Sequence, residues 1–154
     1  MSPRSHTTSA GADRWLERAQ RSLGAAGYRQ GGARHAVLEL LDGQPCALTA
    51  IEIEDALRDA ERRVSRASIY RVLDELEQLS LVQRVDTGQT MVRYERVCSH
   101  DEHHHHLVCE GCVVVMPFSD EALERAISNL SARVPLTVSE HEIVLRGECE
   151  DCAA

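Results

Sequence analysis

Apolar residues recur at helical spacing four times in the first half of the chain. Trp15, Leu16, Ala19 and Leu23 predict a helix over Trp15–Ala26, ended by Gly27. After the loop Tyr28-Arg29-Gln30-Gly31-Gly32, the residues Ala36, Val37, Leu40 and Leu41 predict a second helix, broken at Gly43-Gln44-Pro45. Thr49 and Glu52 have the spacing of a capping box. The helix they start runs to about Ala60, with Ile53, Ala56, Leu57 and Ala60 on one face. Ser65 caps a fourth helix to about Leu79, whose Ile69, Val72, Leu73 and Leu76 face a core. Leu81–Val85 and Thr90–Glu95 then read as strands joined around the turn Asp86-Thr87-Gly88. Helices followed by a β-hairpin predict a winged helix-turn-helix.

The pattern changes after Arg96. Leu107–Val115 reads as a strand with a Cys-Glu-Gly-Cys turn inside it. Ser119 is the expected cap of a helix whose core face is Leu123, Ala126, Ile127 and Leu130. Val138–Arg146 reads as a last strand, with His141, Ile143 and Leu145 facing inward. The fold class is therefore α+β. It comprises a polar tail over residues 1–13, expected to be disordered, a winged-helix domain over 14–96, and a small α/β domain over 97–154.

Charge sharpens this division. The net charge is −8, yet residues 1–84 hold 12 Arg and 12 Asp/Glu, while residues 85–154 hold 5 Arg and 13 acids. A neutral half with Arg clusters can bind phosphate, and an acidic half rich in His and Cys suits cations. No apolar run approaches the roughly 18–20 residues of a membrane span, and the polar start lacks the apolar stretch of a secretory signal. The expected location is the cytoplasm, where six cysteines point to metal rather than disulfides.

Cys109-x-x-Cys112 and Cys149-x-x-Cys152 are paired thiol knuckles. Two residues between thiols let both sulfurs turn toward one ion, so the pairs together supply a closed four-thiolate shell for structural Zn2+. His103-His104-His105-His106 is the second signal. In an extended segment, alternate side chains face opposite ways. His103 and His105 then serve one site, and His104 and His106 another. His141 and Glu124 complete an N/O set with the first pair. Cys98 is a candidate thiolate beside the second, and sulfur favours zinc over iron or manganese. Cys46 reads as core or loop.

Ser65-Arg66-Ala67-Ser68-Ile69-Tyr70-Arg71 carries the DNA-facing chemistry. Arg66 and Arg71 can reach guanine edges or phosphates, and Tyr70 can pack on a base or a thymine methyl. No phosphate loop, nucleophile elbow or metalloprotease helix is present. Neither an enzyme nor a small-molecule substrate is expected. A zinc buffer or chaperone is the rival from another class.

From about Trp15 to Cys152 the chain resembles the ferric uptake regulator (Fur) family. The resemblance is carried by Ser68-Ile-Tyr-Arg-Val-Leu73, the His tract running into Leu-Val-Cys-Glu-Gly-Cys112, and the closing Cys149-x-x-Cys152. It implies a winged-helix domain, an α/β dimerisation domain, and a homodimer binding palindromic double-stranded operators when metal-loaded. It also implies a structural zinc on the four cysteines and a second site on His103, His105, Glu124 and His141. His104 and His106 match the family's sensing site at the domain hinge, and Arg29 falls where a basic residue approaches the minor groove. Cys98 looks like the thiol ligand of the zinc-sensing branch (Zur). Iron-sensing members often place a hinge His where this chain has Cys46-Ala47. The fourth sensing ligand is left among Glu95, Asp86, Gln83 and His100. Iron-, nickel- or peroxide-sensing members of the family are the nearer alternatives.

Overall fold

The computed structural model describes residues 12–97 and 103–153. The chain divides into two compact units, Met1–Cys98 and Ser99–Ala154. Cys98 and His100, and all of the expected tail except Ala12 and Asp13, lie outside the described residues.

In the first unit, α1 (Ala12–Ala25) begins ahead of the expected start. α2 (Gly32–Asp42), α3 (Ala50–Asp59) and α4 (Arg66–Gln78) follow. The capping box forms as its spacing predicts: Glu52 N–H donates to Thr49 Oγ1 at 3.1 Å, and Thr49 N–H donates to Glu52 Oε2 at 2.7 Å. Ile53, Leu57, Ile69, Leu73 and Leu76 are fully buried in one cluster with Trp15, Ala19 and Leu23. Leu38, outside the expected helical pattern, is buried, and Leu40, within it, is only partly so. The Trp15 indole N–H donates to Leu81 O at 2.9 Å, which fastens α1 to the start of the hairpin. The wing is β2 (Val82–Val85) against β3 (Arg93–Arg96). A two-residue strand that periodicity cannot show, β1 (Leu48–Thr49), pairs antiparallel with β3 and gives the order β1-β3-β2.

In the second unit, β4 (His105–Cys109), β5 (Val115–Phe118), α5 (Glu121–Ser131) and β6 (Val144–Gly147) form a sheet of order β5-β4-β6 with one helix. Three expectations are corrected here. The segment expected as one strand, Leu107–Val115, is two: the chain reverses through the Cys109–Cys112 turn, with Val113 at φ 67°, and β5 runs back antiparallel to β4. The last strand is Val144–Gly147, so His141 precedes it, and Leu145 is exposed rather than inward. The cap of α5 is Asp120, not Ser119, because the Asp120 carboxylate accepts Leu123 N–H at 2.8 Å. A fourth concerns burial. α5 buries no residue, and Leu130, expected in the core, is 54% exposed. A three-stranded sheet this small leaves one face of the helix without cover from its own unit.

Candidate metal centres and DNA-facing helix

The four-cysteine cluster follows from strand register. β6 lies parallel to β4, with Cys109 opposite Gly147, so Cys149 arrives two residues beyond the end of that pairing. Glu110 N–H donates to Gly147 O at 2.8 Å and extends the lock. The four sulfurs lie within 4.8 Å of one another, and Cys112 Sγ is 3.8 Å from Cys149 Sγ. A tetrahedron with Zn–S of about 2.3 Å has S···S edges of about 3.8 Å; a disulfide would need about 2.05 Å. The sulfurs are thus spaced for a divalent cation. Backbone N–H groups of Cys112 and Cys149 point at Cys109 Sγ, at 3.5 and 3.3 Å, and pull that thiol down to about 6. Hydrogen bonding to Cys149, Cys109 and Cys112 pushes Cys152 up to about 12. Residue 111 has no room for a side chain: a Cβ there would stand 2.8 Å from Cys152 Sγ, so glycine lets the knuckle close.

The second cluster joins His103, His105, Glu124 and His141, whose ligating atoms also lie within 4.8 Å of one another. Glu124 bridges it. His105 Nε2 is 2.7 Å from one carboxylate oxygen and His141 Nε2 is 3.0 Å from the other. His105 is fully buried. Burial raises Glu124, but the His105 hydrogen bond and the His141 charge outweigh it and hold the carboxylate below its ordinary range. Burial, then the neighbouring His105 and His141, holds His103 below the ordinary histidine value. His141 reaches the cluster from the segment before β6 rather than from a strand.

The alternation of the His tract separates the remaining pair. His104 and His106 have ring centroids 5.2 Å apart, and His106 is 1% exposed with Nδ1 3.3 Å from Glu142 Oε1. Within the first unit, the three described candidates for a fourth sensing ligand differ in their surroundings. Glu95 is 5% exposed and accepts the Gln83 amide at 2.8 Å. Gln83 is therefore a donor to Glu95. Asp86 turns back to accept Gly88 N–H at 2.8 Å in the wing loop. Cys46, read from the sequence as core or loop, has its sulfur within 4.8 Å of a Glu95 carboxylate oxygen. The only signal for it was a cysteine where relatives carry a metal-binding histidine; its partner stands on a strand far along the chain.

On α4, Tyr70 and Arg71 are exposed, and Arg29 is exposed in the loop after α1. Ser65 caps the helix by accepting Ser68 N–H at 3.3 Å, and their hydroxyls are 2.9 Å apart. Arg66 is not idle: its guanidinium is paired with Glu54 at 2.6 Å. Arg58, Arg62 and Arg63 line an open hollow beside Ser65, a basic element that the sequence pattern did not single out.

A helical unit with a winged three-stranded sheet, followed by an α/β unit carrying clustered metal ligands, is the architecture of a metal-responsive transcriptional regulator. Residues 25–146 match the profile of the Ferric uptake regulator family. The Ferric uptake regulation protein of Vibrio parahaemolyticus is 30% identical over 133 residues, covering 84% of this chain and 87% of that protein. The Peroxide operon regulator of Bacillus subtilis is 30% identical over 139 residues, covering 90% and 93%. The crystal structure of the Vibrio cholerae ferric uptake regulator superposes with a TM-score of 0.72 at 29% identity, covering 84% of this chain and 98% of that one. The chain belongs to the ferric uptake regulator family, a family of transcriptional regulators. Among the described residues, no helix is long and apolar enough to cross a membrane.

Proposed function

We propose that this chain is a zinc-responsive repressor that binds palindromic operators as a metal-loaded homodimer and controls zinc-uptake genes. The observation that carries the zinc reading is the distribution of thiols. Four cysteines sit at zinc-sized separations, and thiols also stand near the sensing histidines in sequence (Cys98) and beside Glu95 (Cys46). Soft donors bias a site toward zinc.

In this reading Cys109, Cys112, Cys149 and Cys152 hold a permanent structural zinc. His104 and His106, with Cys98 and Glu95, hold the sensing zinc; Gln83 supports Glu95, and Asp86 shapes the wing. His103, His105, Glu124 and His141 hold a further ion. Tyr70 and Arg71 read bases, Arg66, Ser65 and Ser68 lie against the backbone, and Arg29 enters the minor groove. Zinc on the sensing set raises the population of dimers whose recognition helices match half-sites about 34 Å apart. The coupling required is of the ordinary allosteric size, about 1–3 kcal/mol.

A second reading is supported by the relatives, which are named as ferric uptake and peroxide operon regulators. The His103/His105/Glu124/His141 set contains only N and O donors, which suit iron and manganese as well as zinc. Gel shifts with zinc, iron or manganese restored to chelator-treated protein separate the two. Zinc should give tight operator binding at the lowest free metal concentration, and Cys98→Ser should abolish that preference. Tighter response to iron would overturn the zinc reading. Loss of preference in Cys46→Ser but not Cys98→Ser would move the sensing thiolate to Cys46. Metal binding without any operator binding would leave a zinc buffer.

A further inference from the structure

The loop that carries Arg29 is built from pliable parts. It leaves α1 through Gly27, at φ 81°, and enters α2 through Gly31 and Gly32, with no side-chain cap on that helix. Glycine adds backbone freedom at each end. Arg29 itself is exposed and makes no hydrogen bond or ion pair with a described residue. An arginine on such a loop would be a poor reader of a groove unless something fixed it.

The fixing contacts run to α4. Tyr28, next to Arg29, packs against the core, and its hydroxyl is 3.4 Å from Gln78 Oε1 at the end of α4. The Arg34 guanidinium lies 5.4 Å from the centre of the Tyr28 ring, within cation–π range. Arg34 in turn donates through Nε and Nη2 to Glu75 Oε2, at 3.0 and 2.6 Å. Both side chains of that pair are enclosed, at 16% and 13% exposure, whereas the Arg84–Glu77 pair stands at 54% and 35%. Enclosure protects the pair from the solvent screening that makes exposed pairs weak. Glu75 and Gln78 belong to the helix whose other end presents Tyr70 and Arg71.

We propose that Tyr28, Arg34, Glu75 and Gln78 form a clasp that holds the Arg29 loop in register with α4, so that Arg29 and the recognition helix engage DNA as one rigid reader. Glu75 and Arg34 are positioning residues; neither touches DNA. The clasp rests on the reading of Arg29 as a DNA contact, and the experiment tests the two separately.

The experiment is a set of double-mutant cycles, read as operator affinity by fluorescence anisotropy on the full-length, zinc-loaded protein. Arg29→Ala should weaken binding about tenfold, and Glu75→Gln several-fold. If the clasp acts through Arg29, the R29A/E75Q double variant binds no more weakly than R29A alone. Tyr70→Ala combined with Glu75→Gln should instead multiply the two losses. The swap R34E/E75R should recover part of the E75Q loss. Multiplicative losses for R29A/E75Q would overturn the clasp and leave Arg29 a DNA contact. An R29A variant that binds normally would overturn the Arg29 reading and the clasp with it. Tyr28→Phe removes only the hydroxyl, so its cycle with R29A decides the matter if E75Q does not fold.

Discussion

Glu52 does two jobs with one oxygen. Its Oε2 accepts Thr49 N–H at 2.7 Å, closing the capping box, and accepts the Arg93 guanidinium at 2.8 Å. Arg93 is 5% exposed on β3 and also donates to Ala47 O at 3.3 Å. A helix start and the wing are thereby joined at one carboxylate. Loss of the Thr49 cap in Thr49→Ala should cost about 1 kcal/mol. Glu52→Ala removes a charged partner from an enclosed arginine as well, and should cost about 1.5–3 kcal/mol. Urea unfolding of the two variants checks the order; equal losses would mean that the Glu52–Arg93 contact contributes nothing. The capping box was legible because its four residues are adjacent. The Arg93 contact was not, because it spans 41 positions and depends on how β3 is placed.

At the scale of elements, the helices of the first unit were read with their ends within about three residues, since each carries its own periodicity and punctuation. The second unit was read less well. Its strands are four or five residues long, too short for alternation to fix their ends, and the Cys109–Cys112 turn interrupts an otherwise continuous apolar run. The periodic face of α5 was real, but burial did not follow from it. Leu123, Ile127 and Leu130 remain at least partly open, as does Leu136 at 71% exposure. A proposed homodimer would cover this face. Ile127→Glu should then weaken self-association about tenfold or more, as expected for an apolar anchor, without loss of helical circular dichroism. Sedimentation at graded concentrations measures it, and an unchanged dimer would place the contact elsewhere.

At the scale of the whole molecule, each unit is stabilised internally by its own means. The first has a dense apolar cluster drawn from four helices. Among its described residues the second buries Val108, Cys109, His105 and His106, and the metal proposed for the four cysteines would cross-link so small a fold. The thiols are unequal, Cys109 falling to about 6 and Cys152 rising to about 12. A bound cation displaces the remaining protons, and its binding energy becomes folding energy. Stripping the metal proposed for the four cysteines with a strong chelator under reducing conditions should therefore lower the melting transition of residues 99–154 and leave that of the helical unit nearly unchanged. Calorimetry resolves the two; a parallel fall in both would tie their stability to a common source.

The amino-acid sequence by itself determined whatever is local. It set the four helices of the first unit, the capping box, the reach of each Cys-x-x-Cys knuckle, and the alternation that sends neighbouring histidines to separate clusters. These depend on repeat geometries of 3.6 and 2 residues and on contacts a few positions apart. Only the tertiary structure decided what depends on pairing across the chain. The parallel register of β4 and β6 brings the knuckles together, β3 sets Glu95 beside Cys46, and α4 supplies the residues that clasp the Arg29 loop. The physical reason is common to all three: distant segments meet only where burial and backbone hydrogen bonding jointly fix a register, and no local period in the sequence records that choice.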